Sequence, residues 1–164
     1  MATRQFTVEK FSVVSAKPFE DVLAGLERGI GRPNMSVLHE QMAAAPSFSE
    51  FQRVIRGAVG NADLMEFLRL DLGAAMQKDP QAKAYKIVRI IAGNPLIMKQ
   101  MTEHVPDAGS YAPVTILVYE SHDGVHLSYD TMASFLASYE NRAALDVARD
   151  LDAKVMKLLT EAAG

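Results

Sequence analysis

A β-hairpin between residues 114 and 129 constrains the fold more than any other part of this sequence. Apolar and β-branched residues fill Val114–Tyr119, and the chain then turns through Asp123-Gly124. This residue pair tolerates the positive φ angles of a tight two-residue turn. On the returning segment every second residue is apolar, which is the period of a strand: Val125, Leu127 and Tyr129. The sequence therefore predicts two antiparallel strands joined by a short turn.

Three further segments are rich in apolar and β-branched residues and predict strands. They are residues 4–15, Leu64–Leu72 and Ala84–Ala92, and the Lys78-Asp79-Pro80 stretch between the last two predicts a loop. Together with the hairpin they make a five-stranded sheet that we expect to be mostly antiparallel.

Helical spacing and capping residues account for most of the remaining chain. One helix follows Pro18 and carries an apolar stripe as far as Ile30, and a second begins near Met35. Ser47-Phe48-Ser49-Glu50 is a capping-box pattern that predicts the start of a third helix. Further helices are predicted after Asn94, around residues 132–136, and from Asn141, where six apolar residues follow steps of four and three: Ala144, Ala148, Leu151, Val155, Leu158 and Ala162.

This order of elements predicts an α+β fold with helices packed on the sheet, in a single domain spanning residues 1–164. Helices that cover one face of an antiparallel sheet leave the other face polar in the simplest case. Here both faces are partly apolar, since Val114–Tyr119 places Leu117 and Tyr119 opposite the face of Ile116. We expect one of three covers for the second face: the helices of residues 34–59, a second copy of the chain, or a small molecule.

Composition excludes several classes of function. The 164 residues contain no cysteine, which rules out disulfides, thiolate zinc sites, iron–sulfur clusters and a cysteine nucleophile. The net charge is −3 and no basic run is present, so we expect no nucleic-acid binding. No apolar stretch approaches the roughly 20 residues that span a bilayer, and the N-terminus lacks the apolar core of a signal peptide. We therefore expect a cytoplasmic protein with no membrane partner.

The familiar metal and cofactor motifs are incomplete. His39-Glu40 begins like a zinc-protease helix, but Ala43 stands where the second histidine is required. Met98, Met101 and His104 could ligate a soft metal or haem, yet methionines at helical spacing more often fill a core. We therefore expect neither a metal nor a cofactor.

One set of polar residues suggests a ligand pocket. Four lie on neighbouring predicted strands and three at strand ends or loops: Arg69, Asp71, Tyr85, Arg89, Asn94, Tyr111 and Asp130. Convergence of such groups beside apolar walls is typical of a binding site. The alternative is a network of surface ion pairs. Asn94 itself starts a helix, so it either exposes backbone N–H groups to an anion or simply caps that helix.

Several short segments, in order, resemble the signature of the domain-of-unknown-function 302 family. They are Gly93–Met101, Tyr111–Val114, Val118–Glu120, Asp123-Gly124, Leu127–Asp130 and Leu151–Lys154. The resemblance spans residues 62–160 and extends to the opening strand and helix. It implies a β-α-β4-α core like that of TATA-binding-protein-type folds, and a homodimer. Residues 32–60 look like a longer helical insert than shorter family members have.

The resemblance leaves the chemistry open. Many relatives have a histidine after the aspartate equivalent to Asp71, whereas this chain has Leu72, so no role of that histidine can be transferred. A family without an established reaction places a fold and no activity. Three hypotheses follow: a homodimeric small-ligand-binding or sensing module using the groove near Gly93-Asn94-Pro95, an enzyme with Asp71 or Asp130 as acid/base, and a structural interaction protein.

Overall fold

All strands of the molecule join one mixed sheet. The computed structural model describes residue 1 and residues 3–164, and within these the chain forms six strands and seven α-helices. The strands are β1 (Lys10–Ser15), β2 (Ile30–Gly31), β3 (Leu64–Asp71), β4 (Ile87–Gly93), β5 (Val114–Ser121) and β6 (Gly124–Asp130). The helices are α1 (Phe19–Gly29), α2 (Met35–Ala44), α3 (Phe48–Ala58), α4 (Gly73–Met76), α5 (Pro95–Thr102), α6 (Met132–Leu136) and α7 (Arg142–Ala163).

The order of strands across the sheet is β1-β6-β5-β4-β3-β2. Neighbouring strands are antiparallel, except that β2 runs parallel to β3. The α+β class is therefore confirmed, but the sheet has six strands instead of five. The additional strand has only two residues, too few to show a period, and the sequence prediction assigned its Ile30 to the preceding helix. The TATA-binding-protein-type core stays a prediction.

Two predicted strands are shorter than their apolar composition indicates. The first begins at Lys10, not at residue 4, and the one predicted from Ala84 begins at Ile87. Strand pairing decides both boundaries, because Lys10 is the first residue opposite β6 and Ile87 the first opposite β5. The predicted hairpin is present, but its two turn residues are His122 and Asp123, and Gly124, at φ +137°, pairs with Ser121 as the first residue of β6.

Capping residues begin four helices, and the sequence predicted the start of three of them, after Ser47, Asn94 and Asn141. Side-chain oxygens accept backbone N–H bonds at the first turns of α2, α3, α5 and α7, and the capping residues are Asn34, Ser47, Asn94 and Asn141. Each bond satisfies an N–H that has no partner inside its helix. These helices therefore start where local chemistry predicts.

Helices α1 and α7 pack against one face of the sheet and enclose the main core. The apolar stripe predicted for α7 is buried along its length, and it meets the inward side chains of β4, β5 and β6, which include Ile90, Ile116 and Leu127. The two helices approach closely, since a Cβ atom on Gly25 would lie 2.9 Å from the Cα atom of Ala162. This is the fully covered face of the sheet.

A buried carboxylate fastens α7 to the sheet. Asp152 is 6% exposed and accepts hydrogen bonds from the Tyr129 hydroxyl at 2.6 Å and from the backbone N–H groups of Met132 and Ala133 at 2.7 and 2.9 Å. Two of its three donors belong to the start of α6, so the side chain caps that helix from another element. Residue 152 therefore has a structural role.

The α2–α3 pair packs on the opposite face, at one corner. Leu38, Ile55 and Met65 form a second small core there, with Phe67 at its margin. The rest of that face is not covered by these helices. Among the residues described, no helix is both long enough and apolar enough to cross a membrane.

Candidate functional site

An apolar cavity of about 310 Å³ lies where β3, β4, α2 and α5 meet. Its position agrees with the groove that the sequence analysis placed beside Gly93-Asn94-Pro95. The end of α2 contributes Met42, β3 contributes Phe67, and the loop before β5 contributes Pro113. The remaining walls come from α5 and neighbouring segments, chiefly Pro95, Ile97, Met98 and Met101.

Close packing shapes the cavity at the end of β4. A Cβ atom on Gly93 would lie 3.1 Å from the Cβ atom of Pro113 and 3.2 Å from the Phe67 ring. Glycine therefore lets the Phe67 ring and the Pro113 loop approach the strand closely, and both line the cavity. The Ala112–Pro113 peptide bond of this loop is cis.

Asn94 supports the wall of the cavity and has no polar atom left for a ligand. Its Oδ1 accepts the Leu96 N–H at 2.9 Å, and its Nδ2 donates to the backbone oxygen and to Oδ1 of Asp63 at 3.1 and 3.0 Å. Lys154 forms an ion pair with the other oxygen of Asp63. The structure thus favours capping over anion binding at this helix start.

Methionines give the cavity an adaptable wall. Met101 is fully buried, as the core interpretation predicts, whereas Met98 is 36% exposed and lies at the cavity together with Met42. Flexible thioether side chains adjust to ligands of different shape and favour aromatic neighbours such as Phe67. Among residue 1 and residues 3–164, no group of three or more histidine, aspartate or glutamate side chains is placed to hold a metal ion.

A second depression, of about 350 Å³, brings together three of the predicted site residues. Arg89, Tyr111 and Asp130 line it with Thr115 and Phe135. It adjoins the first cavity, because the loop through Ala112–Val114 contributes to both. This depression lies on the sheet face that α1 and α7 leave open.

The other predicted site residues lie elsewhere. Arg69 pairs with Glu27 and Glu66, with N–O distances of 2.6 Å to each, which is the ion-pair network that was the alternative to a pocket. Asp71 accepts the Ala74 N–H at 3.0 Å at the start of the short helix α4. Tyr85 lines a separate open depression near Lys17. The seven residues therefore do not converge on one site.

The acid/base hypothesis required a buried carboxylate beside a pocket. Asp71 is exposed, and the side chain of Asp130 is 44% exposed and pairs with Lys10 at 2.5 Å. Neither carboxylate therefore lies in the buried environment typical of a catalytic acid or base. Among the residues described, no carboxylate lines the apolar cavity.

An aromatic cluster beside the second depression was missed from the sequence. The rings of Tyr111 and Phe135 stack with centroids 4.6 Å apart, and Phe6 meets both edge-on. The hydroxyl groups of Tyr111 and Tyr139 are 3.1 Å apart, and this hydrogen bond raises the pKa of Tyr139 to about 12. These residues come from four separate segments with no shared period, so no local sequence signal could have revealed the cluster.

The sequence of the chain matches one known protein family. The model of the family described as domain of unknown function DUF302 matches residues 40–162, three quarters of the sequence. The chain belongs to the DUF302 family. The match begins within α2 and includes every residue that lines the two depressions.

A solved DUF302 structure has the same overall fold. The crystal structure of an uncharacterized conserved DUF302 protein from Bacillus stearothermophilus superposes with a TM-score of 0.64, at 11% sequence identity, over 93% of this chain and 96% of that one. At this identity the likeness establishes the fold alone. No curated protein matches the sequence.

Proposed function

We propose that this DUF302 chain is a small-ligand-binding module that acts as a homodimer. Its ligand is a small, uncharged, mainly apolar molecule held in the cavity beside α5. The observation that carries this proposal is the cavity itself, whose walls come from five separate segments, including β3, the end of β4 and α5. A purely structural interaction protein requires no such concavity.

The lining determines the ligand class. Apolar side chains make most of the wall, and the one polar side chain among the lining residues, Asn94, is already satisfied by Leu96 and Asp63. A charged ligand group would lose its water without gaining a partner, which is strongly unfavourable. An uncharged apolar ligand avoids that cost and gains from leaving water.

The volume limits the ligand size. Pockets for drug-sized molecules occupy roughly 300–1,000 Å³, and this cavity of about 310 Å³ is at the lower end. A compact ring system of two or three rings, or a short branched chain, matches that space. Met98 at the cavity is partly exposed and flexible, so its movement offers an entry path.

The open sheet face supports the homodimer. On this face Leu68 is 51% exposed and Val14 is 47% exposed, with half-buried Leu117 and Tyr119 between them. Apolar patches of this kind on proteins in water commonly mark an interaction surface. The α2–α3 pair covers only the corner around Met65 and Phe67, so most of the face is available to a second copy.

Fluorescence titration with a neutral hydrophobic dye tests the ligand site. N-phenyl-1-naphthylamine should bind with one site per chain, whereas its charged analogue 1-anilinonaphthalene-8-sulfonate should bind far more weakly. Replacing Met98→Gln places an amide at the cavity and should weaken binding of the neutral dye by about tenfold, since one polar group is left unpaired.

Met156→Gln is the matched control for this substitution. Met156 is also a partly exposed methionine on a helix, and it does not line the cavity. Its replacement should leave the dye affinity unchanged. Absence of saturable binding to the wild-type chain, or equal weakening by both substitutions, would exclude the cavity as the binding site.

A further inference from the structure

The open sheet face is ordered in rows by the strand register. One row crosses the sheet through Leu70, Arg89, Leu117, Ser128 and Ser12, which are successive direct partners on β3, β4, β5, β6 and β1. On a flanking row Ile91 faces Thr115, and Asp130 faces Lys10. Apolar side chains therefore occupy the centre and the β3 side, and polar groups concentrate on β6.

Arg89 is a charge without a counter-ion on this face. Its guanidinium makes one side-chain hydrogen bond, to the Thr115 hydroxyl at 3.3 Å, and among the residues described it has no carboxylate within ion-pair distance. Asp130 lines the same depression but pairs with Lys10 on the edge strand. Opposite charges thus lie on β4 and β6, one on each side of β5.

This arrangement is self-complementary under one particular twofold axis. If two copies pack face to face about an axis parallel to β5, then β4 of one copy lies over β6 of the other. Leu117, on the central strand, then lies close to its own equivalent on the axis. An axis that crosses the strands along the row of Arg89 and Leu117 would instead place Arg89 over Arg89, with like charges in contact.

From this we infer that a second copy of the chain docks on the open sheet face, with Arg89 of each copy paired to Asp130 of the other. The inference rests on the homodimer of the proposed function and names its interface. Isologous contact of this kind uses the same patch on both copies, so each Arg89–Asp130 pair occurs twice.

The distances allow this pairing. Under the strand-parallel axis Arg89 lies over the region of Ser128, and Asp130 is two residues further along the same strand, about 7 Å away. Packed sheets lie about 10 Å apart and are rotated by about 30°. An extended arginine side chain spans such a separation. Under the same axis Leu68 and Leu70 of β3 lie over Lys10 and Ser12 of β1, and the exposed Val14 lies two residues beyond Ser12.

Charge reversal tests the interface. Sedimentation velocity across a concentration series should show a wild-type dimer, and Arg89→Asp or Asp130→Arg alone should raise the dimer dissociation constant on the order of 100-fold, because each change acts twice and creates repulsion. The double variant Arg89→Asp/Asp130→Arg should return to within about tenfold of wild type, since the pair is restored with opposite polarity.

Arg142→Asp is the matched control. The Arg142 side chain is 95% exposed on α7, away from the sheet face, so the same charge reversal there should leave dimerisation unchanged. Far-UV circular dichroism and urea midpoints establish that each variant is folded.

The outcomes separate the two proposals. A wild-type chain that is monomeric throughout overturns both the homodimer and this interface, whereas the dye titration still decides the ligand site. A dimer unaffected by Arg89→Asp overturns the interface alone. Single variants that dissociate without rescue in the double variant overturn the Arg89–Asp130 pairing.

Discussion

The two faces of the sheet differ although the same strands form both. On β5 the side chain of Ile116 is completely buried beneath α1 and α7, while its neighbour Leu117 points to the open face and is half-buried. Alternation along a strand determines which residues share a face, but not what lies above it. The connections decide that, because α1 and α7 return to one side and only α2 and α3 reach the other.

The open face combines the features that support both proposals. Its covered corner, at Met65 and Phe67, borders the apolar cavity, and its uncovered part carries Arg89, Leu117 and Asp130. The helix-covered face supplies most of the packed core, and the open face supplies the surface proposed for docking.

The largest expected effect distinguishes the two faces of the sheet at neighbouring residues of β5. Ile116→Ala should lower the free energy of unfolding by about 4 kcal/mol, because a buried side chain leaves a cavity in a packed core. Leu117→Ala should cost about 1 kcal/mol, since part of its side chain already contacts water. Urea denaturation at a concentration where the chain is monomeric measures both, and equal costs would show that the open face is covered within the monomer.

The next largest effect concerns the buried carboxylate on the helix-covered side. Asp152→Ala removes the acceptor of the Tyr129 hydroxyl and of two backbone N–H groups, and should lower the free energy of unfolding by about 3 kcal/mol. Asp150→Ala is the control, because Asp150 lies two residues earlier on α7 and its side chain is exposed. A loss of less than about 1 kcal/mol at residue 152 would contradict its fastening role.

The pH dependence of folding stability tests the same buried carboxylate, with a smaller expected effect. Burial raises the pKa of the Asp152 carboxyl group, against the lowering effect of its three hydrogen bonds. A group whose pKa is higher in the folded chain contributes stability below its unfolded pKa of about 3.9 and loses it as the pH rises through the folded pKa. As the pH rises through the folded pKa of Asp152, the wild type should therefore lose stability relative to the Asp152→Asn variant. Parallel pH profiles of the two urea midpoints would contradict this prediction.

The smallest effect tests the covered corner. A Cβ atom on Gly57 of α3 would meet nothing within 4 Å, so Gly57→Ala should stabilise the chain by about 0.5–1 kcal/mol through helix propensity. Gly31→Ala should act in the opposite direction, because its Cβ atom would lie 2.0 Å from the Ala58 carbonyl oxygen. Thermal denaturation measures both shifts, and stabilisation by Gly31→Ala would contradict this seating of α3 against β2.

The sequence by itself determined the elements and the family. Local signals suffice where a residue acts on its own neighbourhood: Ser47 and Asn94 cap the helices they precede, and Gly124 adopts a positive φ directly after the hairpin turn. The apolar stripe of α7 and the α+β class follow from periods of 3.6 and 2, and the DUF302 motifs from their order. Each of these inferences needs only residues close in the chain.

Only the tertiary structure decided which polar residues meet. Arg89, Tyr111 and Asp130 share a depression because the strand register and the loop before β5 bring them together, whereas Arg69 points to the opposite side and pairs with Glu27 and Glu66. A β-bulge between Glu66 and Leu68 contributes to this difference, since an inserted residue reverses which side chains face which side. Such register changes and long-range pairings leave no periodic trace in the sequence.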